Sequence, residues 1–361
     1  MFDHRQYVPV LKWRHGEYLA LAHMSDALRQ RLTPLLEIPA EAWDHEHQRP
    51  QKSIDEHISL FGQRLLATWG SLPCFVDSCY LPPDALCADG VHHLERLLEL
   101  TALVGCLAVP VTGLTRHYQY QAATARIVRR HGRGFCLRLI TEDFDHPQLA
   151  TQLSALLAYM GVGAGQVDLV IDFSQHIARS ATAQAGHAHA LLTQTPLLDH
   201  WRSLTLIGTS FPAHAMAEEW SPGNVVRRYE WLAYKQLLRR LGSGLRWPAF
   251  GDYTIAHPHT GLLDPRLAEP TACIDYTVAD GWLRVYERAP SGRAHYHYRK
   301  LCQRVLDSGR FDGECFSWGD DYLYQCGEHG ASTGHKATWT AVGNNHHFTR
   351  VVLELANFHA F

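Results

Sequence analysis

The feature that most constrains this chain is an alternation of short, almost uninterrupted apolar runs with amphipathic stretches. It repeats eight times up to Phe250. The runs are Tyr7–Lys12, Thr33–Ile38, Pro73–Asp77, Leu107–Thr112, Phe135–Ile140, Val167–Phe173, Ser203–Thr209 and Leu245–Phe250. Runs with little polar alternation are read as parallel strands covered by helices on both faces. Between them, apolar residues recur at three-and-four spacing, as in Leu94, Leu97 and Leu98, which predicts helices.

The predicted helices are Glu17–Gln30, Ser53–Trp69, Val91–Val104, Tyr120–His131, Gln148–Met160, Ala183–Thr193 and Val226–Leu241, with Pro196–Trp201 as an extension of the sixth. Ser53 and Glu56 have capping-box spacing, Asp145 is an N-cap candidate, and Gly70 and Gly132 are stop signals. Evenly sized βα units with short connections predict an α/β chain whose residues 1–264 form a TIM-like (β/α)8 barrel. A doubly wound open sheet is the alternative, disfavoured because no strand is followed by a Gly-x-Gly-x-x-Gly turn.

The character changes near Pro265–Pro270, and residues 265–361 read as a smaller α+β domain. Thr271–Val278 and Trp282–Arg288 flank the turn Ala279-Asp280-Gly281, a hairpin signal. A helix over Tyr296–Leu306 follows, then a glycine-rich aromatic stretch, Phe311–Gly343. A last helix over His346–Asn357 is expected, N-capped by Asn344 or Asn345.

Of the 361 residues 46% are apolar, enough for a sizeable core, and the net charge of −3 argues against a surface built wholly to grip nucleic acid. The nine cysteines are odd in number and contain no Cys-x-x-Cys pair, so reduced thiols in a cytoplasmic protein are expected. No signal-peptide core or membrane-spanning apolar run occurs.

In such barrels, sites are assembled at the C-terminal strand ends. Those ends carry Lys12 and Arg14, Glu37, Asp77, Thr112, Arg138, Asp172, Ser210, and Asp252 with Tyr253. Carboxylates crowded into a partly dry mouth need compensating cations. Lys12 and Arg138 are candidates, as is a bound Mg²⁺ or Mn²⁺ held by Glu37 and Asp77. The expected catalytic set is Lys12, Glu37, Asp77, Arg138, Asp172, Asp252 and His346. Arg14, Thr112, Ser210, Tyr253 and His347 are expected to bind substrate. Closure would place Lys12 between Asp252 and Glu37. Either this is a site for an anionic or polyhydroxylated substrate, or it is a salt-bridged plug.

His92, His93, His187 and His189 fall on predicted helices and read as packing or surface residues. His257-Pro-His259 follows the last strand as a loop or an acid–base element. His346 and His347 would open the last helix, where N–H groups can hold an anion. Arg126, Arg129, Arg130 and Arg133, with Arg227, Arg228, Arg239 and Arg240, form basic clusters. They read as solvated helix faces, or more sharply as a nucleic-acid or partner surface. There is no P-loop, His-Glu-x-x-His or Gly-x-Ser-x-Gly.

Several segments together resemble the phage T4 "beta protein" family. They are Tyr7-Val-Pro-Val-Leu-Lys12 with Gly16-Glu17, Pro34-Leu-Leu-Glu37-Ile-Pro39, Phe250-Gly-Asp252-Tyr253, Ile274-Asp-Tyr276-Thr277, Phe311-Asp-Gly313, Phe316-Ser-Trp-Gly319-Asp320, Trp339 and Asn345-His346-His347. The likeness covers nearly the whole chain; Asp275 departs from a pattern that expects a basic residue. The resemblance implies a role in phage–host conflict, with a partner protein of a defence operon. It also puts emphasis on Lys12, Glu17, Glu37, Asp252, Asp320, His346 and His347, and suggests that the tail packs over the mouth.

Three functions are expected to compete. The first is an antiviral hydrolase acting on a phosphorylated or nucleic-acid-derived substrate. The second is a non-catalytic module that recognises a phage component or partner protein. The third is a sugar-phosphate isomerase or lyase, which ranks lowest because the loops after the last two strands have few glycines.

Overall fold

A computed structural model describes residues 2–213, 225–241, 244–258, 271–288 and 294–359. The boundary at 264/265 and His259 lie outside the described residues. In chain order the first half comprises β1 (Tyr7–Lys12), α1 (His15–Ala22), α2 (Asp26–Arg29), β2 (Leu35–Glu37), β3 (Trp43–Asp44), β4 (Arg49–Pro50), α3 (Ile54–Ile58), α4 (Phe61–Trp69), β5 (Cys74–Asp77), α5 (His93–Leu103), β6 (Ala108–Thr112), α6 (Tyr118–His131) and β7 (Phe135–Ile140). Then come α7 (Leu149–Met160), β8 (Val167–Asp172), α8 (Ala181–Gln194), β9 (Ser203–Ile207), β10 (Val225–Arg227), α9 (Tyr229–Leu241), β11 (Ala249–Asp252), β12 (Thr271–Val278), β13 (Gly281–Arg288), α10 (Ala294–Leu306), α11 (Trp318–Glu328) and α12 (Lys336–Phe358).

Eight parallel strands close in the order β1-β11-β9-β8-β7-β6-β5-β2. Strand periodicity sends alternate side chains to opposite faces. Val8, Val10, Leu35, Phe75, Val109, Val111, Cys136, Val170, Ile207 and Tyr253 fill the barrel interior. Tyr7, Leu11, Leu36, Val76, Leu137, Leu169, Leu206 and Phe250 point outward to the helices. The closure needs Gly251: a Cβ there would stand 2.6 Å from the Val8 carbonyl oxygen on the neighbouring strand.

The predicted helices hold with local revisions. Ser53 and Glu56 form the capping box, and Gly70 and Gly132 end their helices at φ 76° and 65°. The first predicted helix breaks where Ser25 N-caps α2, and the second breaks at Ser59–Leu60 between α3 and α4. Gln148, not Asp145, precedes α7. Leu198–His200 is a separate 3-10 turn. The eighth strand begins at Ala249 rather than Leu245; Pro248 has no N–H to give to a ladder. Val225–Arg227 is not helical. It forms β10, paired antiparallel with β13 at the edge of the hairpin, whose turn is Ala279–Asp280.

The tail is not a self-contained domain. β10, from the barrel half, completes its sheet. The last helix also starts ten residues earlier than expected, at Lys336, so Asn344 and Asn345 are interior residues and not N-caps. Its Ala341, Phe348, Val351, Val352 and Leu355 share one core with Tyr7, Trp231 and Phe250. Packed against α1 and β1, α12 takes the eighth place in the helical ring. The hairpin, α10 and α11 stand between the eighth strand and its helix. Asp275, the departure from the family pattern, faces Arg284 across the hairpin and accepts from its Nη2 at 2.7 Å.

Gly251→Ala would drive a methyl group into backbone that cannot retreat. We expect it to cost about 1–3 kcal/mol, read as a lower urea midpoint with an unchanged slope.

Candidate active site

The inward parity of the strand ends selects which polar residues meet. Lys12, Glu37 and Asp77 lie in register on β1, β2 and β5. Arg138 and Asp172 are inward on β7 and β8, and Tyr253 follows β11. Arg138 is the hub. Its Nε donates to Asp172 Oδ2 at 2.8 Å, Nη1 to Glu37 Oε1 and Asp77 Oδ2 at 2.9 Å each, and Nη2 to the Tyr253 hydroxyl at 2.7 Å. Tyr253 in turn donates to Asp172 Oδ2 at 2.7 Å. A second guanidinium, Arg116, gives its Nη2 to both oxygens of Asp77 at 3.0 and 2.8 Å.

Glu37 is held differently from its neighbours. Its Oε1 accepts from Arg138, whereas Oε2 is buried with no donor at hydrogen-bond distance, on a residue 1% exposed; the Tyr80 hydroxyl lies near the carboxylate but is turned to the Pro258 carbonyl. Burial pushes its carboxyl up, against the pull of Arg138. The group lines a pocket of about 340 Å³ with Cys79, Tyr80, Gly113, Arg116, Asp172 and Tyr253. Lys12 lies against the Tyr80 ring, 4.9 Å from its centroid, and donates to the Pro258 carbonyl. Tyr80 donates to the same carbonyl at 3.1 Å. Burial lowers the Lys12 ammonium, with Glu37 opposing.

Glu37 and Asp77 each give an oxygen to Arg138, so the charge at the convergence is a guanidinium. No group of three His, Cys, Asp or Glu among the described residues is placed to hold a metal ion.

Other expected site residues lie elsewhere. Asp252 pairs in register with Pro9, one residue out of phase with inward Tyr253, and so points outward. There it accepts from Tyr7 Oη at 2.5 Å and is hydrogen-bonded to His347 Nε2 at 3.0 Å. Lys12 therefore does not stand between Asp252 and Glu37. Burial alone would raise the Asp252 carboxyl; His347, Arg228 and Tyr7 outweigh it and hold it low. His347 also bonds Thr277 Oγ1 at 2.8 Å through Nδ1. His346 is bonded to Asp320 Oδ2 at 2.8 Å and to the Thr277 carbonyl at 2.7 Å. Both histidines are interior on α12 and buried, so neither reaches the mouth or a helix N-terminus. Thr112 pairs with outward Leu137. Arg14 is exposed beside α1 and is not among the residues lining the mouth pocket. Ser210 bonds Glu230 Oε2 at 2.6 Å and caps Tyr229 N–H at 2.9 Å, in a neighbouring pocket with His257.

Asp252 nevertheless acts on the mouth. Its Oδ1 accepts from Thr254 N–H at 3.0 Å, and Thr254 sits at φ 60°, rare for a β-branched residue. That turn aims Tyr253 inward. Asp172 and Ser174 repeat the device, with an N–H contact of 2.7 Å and φ 49°.

Among the described residues, three of the eight arginines in the basic clusters are ion-paired. Arg126 pairs with Glu95, and Arg130 with Glu99. Arg228 is fully buried, bonded to Glu354 at 3.0 Å beside Trp231 and Glu230. His92 and His93 pack α5 against the carbonyls of Pro83 and Pro82. The sequence reading missed Arg116, Tyr80 and the Asp172–Ser174 turn. They stand just past strand ends, where no periodicity marks them.

Two outcomes follow. Arg138→Met would leave buried Glu37 without its cation, while Asp77 keeps Arg116 and Asp172 keeps Tyr253 and the Ser174 N–H, and should cost about 3–5 kcal/mol at pH 7.5, by urea unfolding. The deficit should shrink as pH falls, because the Glu37 carboxyl, pushed up by burial, can take a proton. Glu230, buried beside Arg228, has its carboxyl pushed from 4.5 to about 7 by burial. Its contribution is full below its unfolded value and is lost as pH rises through 7. Wild type should therefore lose about 3 kcal/mol relative to Glu230→Gln between pH 4.5 and 8, measured as the difference between the two stability profiles.

Among the described residues no helix is long and apolar enough to cross a membrane. A search of curated proteins finds no match. Solved structures give distant likenesses. The endoglucanase Cel6 from Mycobacterium tuberculosis is 16% identical over 46% of this chain and 61% of its own, TM-score 0.29, so this chain spans under two thirds of it. Triosephosphate isomerase from Bartonella henselae is 12% identical over 69% and 92%, TM-score 0.34. Alanine racemase from Clostridium difficile is 10% identical over 79% and 66%, TM-score 0.36. The barrel rests on its own strand order and takes nothing from these. The family comparison is of another kind, since the Beta protein model matches residues 7–353, and the chain belongs to the Beta protein family.

Proposed function

We propose that this chain is a hydrolase whose reaction takes place in the barrel mouth, with Glu37 as its general acid–base. One observation carries the reading: a buried carboxylate oxygen with no partner faces a pocket of about 340 Å³. A buried acceptor left unsatisfied costs free energy, and a substrate hydroxyl or an attacking water would satisfy it. Asp77 and Asp172 are fixed by guanidinium, phenol and backbone donors, so they position and do not react. Arg138 has every nitrogen engaged and holds Glu37 Oε1 so that Oε2 is aimed. Burial, which pushes the Glu37 carboxyl up, favours the protonated form a general acid must present. Lys12 and Tyr80 brace one wall through the Pro258 carbonyl. The biological setting we propose is the phage–host conflict implied by the family.

A second reading has its own support. Three cations (Lys12, Arg116, Arg138) interlock with Glu37, Asp77 and Asp172, and the fourth acid, Asp143, accepts from the Ile140 N–H, a pairing expected of a closed plug in a binding module that recognises a phage component or partner.

The test is a panel of nucleotides, sugar phosphates and nucleosides incubated with the full chain, with products read by mass spectrometry. We expect turnover of at least one, reduced by about 10²–10⁴-fold in Glu37→Gln with an unchanged melting temperature. No turnover, or equal turnover in the variant, favours the binding module.

A further inference from the structure

The mouth pocket has an end that acid–base chemistry at Glu37 does not use. Arg116 stands on the loop between β6 and α6, its side chain 23% exposed. Its Nη2 alone clamps Asp77. Nε and Nη1 have no hydrogen-bond partner among the described residues. A guanidinium carries five N–H donors in a planar fork that fits carboxylate and phosphate bidentately. Arg138, the other guanidinium on Asp77, has no nitrogen left to offer. Of the two, only Arg116 presents an open edge.

Gly113 lines the same pocket; a Cβ there would press on the Arg138 carbonyl oxygen at 3.0 Å and come into contact with Arg116 at 3.8–3.9 Å, so glycine leaves this wall open beside the guanidinium. Thr115 adds a hydroxyl-bearing side chain to this wall.

In the loops after the seventh and eighth strands, where many barrels hold phosphate, two described polar groups are committed. Ser210 is bonded to Glu230, and the Pro258 carbonyl is taken by Lys12 and Tyr80. The loop after β6, the fourth barrel strand in chain order, has donors to spare in Arg116. Counting Asp143, four carboxyls (Glu37, Asp77, Asp172, Asp143) stand with three cations (Lys12, Arg116, Arg138) at the mouth, and burial pushes the Glu37 carboxyl up, which lessens the negative charge an anion would meet. Asp143, another carboxyl on the wall, is likewise pushed up by burial.

We propose that Arg116 is the oxyanion-recognising residue of the mouth, so that the substrate carries a phosphate or carboxylate on the β6 side of the pocket and its reacting atom beside Glu37. This rests on the assignment of Glu37 as acid–base, and it names the substrate class: a small oxyanion-bearing molecule.

The experiment is calorimetric titration of the full chain with inorganic phosphate and, separately, with acetate. It compares wild type, Arg116→Gln, and Arg116→Lys, which keeps a cation for Asp77. We expect one of the two anions to bind wild type, and whichever binds more tightly identifies the group. Affinity should fall by about tenfold or more in both variants, because lysine has the charge but not the fork. Circular dichroism and melting temperature should stay close to wild type in Arg116→Lys. Equal affinity in wild type and both variants, or no binding of either anion at millimolar concentration, overturns the inference. The two assignments fail separately. Arg116-dependent anion binding with no turnover of any panel compound removes the catalytic reading and leaves the anion site. Turnover with the same KM in Arg116→Lys removes the anion site and leaves Glu37.

Discussion

The structure depends on one guanidinium placed where three carboxylates converge. Glu37, Asp77 and Asp172 come from β2, β5 and β8, and Arg138 from β7 reaches all of them, with Tyr253 beyond β11. An open sheet could not bring these side chains to one group, so the cluster is a product of closure. It is not a strong source of stability. Removing charges from water is expensive, and apolar residues of the same volume often serve a fold as well. What the cluster supplies is position: each acid is held at a fixed distance from the same planar cation.

A second chain of contacts ties that position to the far end of the sequence. His347 on α12 holds Asp252, Asp252 holds the left-handed turn at Thr254, and the turn aims Tyr253 at Arg138. Beside it, His346 holds Asp320 and Asn345 accepts from Gly319 N–H, fastening α11 to the same helix. Motifs widely separated in sequence therefore serve one geometry. The histidines act at a distance, as a brace beneath the mouth, and their burial is what that role requires. Because α12 is the eighth helix of the ring, the brace is part of the barrel.

Much of this was legible in the sequence, for physical reasons. Strands apolar on both faces announce a covered parallel sheet, and β1 and β7 fall where the runs predict. The acids at strand ends were found because a charge ending an apolar run is conspicuous. Parity was harder. Asp252 and Tyr253 are adjacent, and one residue decides which face each takes. The glycine and proline around Ala249–Asp252 hide the alternation that would have settled it. The last helix was misplaced for a related reason. Asn344, Asn345, His346 and His347 are poor helix-interior residues by propensity, and only their buried partners on α1, α11 and β12 make a helix through them worthwhile. Arg116 carries no sequence signal, because its importance lies in Asp77, 39 residues away.

The same geometry separates a plug from a site. A plug is stable when every acceptor and donor inside it is matched, as Asp77, Asp172 and Arg138 are. Glu37 Oε2 and the outer edge of Arg116 break that rule, and both belong to residues that line one pocket. Other buried polar atoms are unmatched too, Thr112 Oγ1 and Thr205 Oγ1 among them, but those residues do not line this pocket. An acid with a free oxygen and a guanidinium with a free edge, each anchored by its other end to the same Asp77–Arg138 pair, is the arrangement expected when a rigid centre holds two working groups apart by the length of a small molecule.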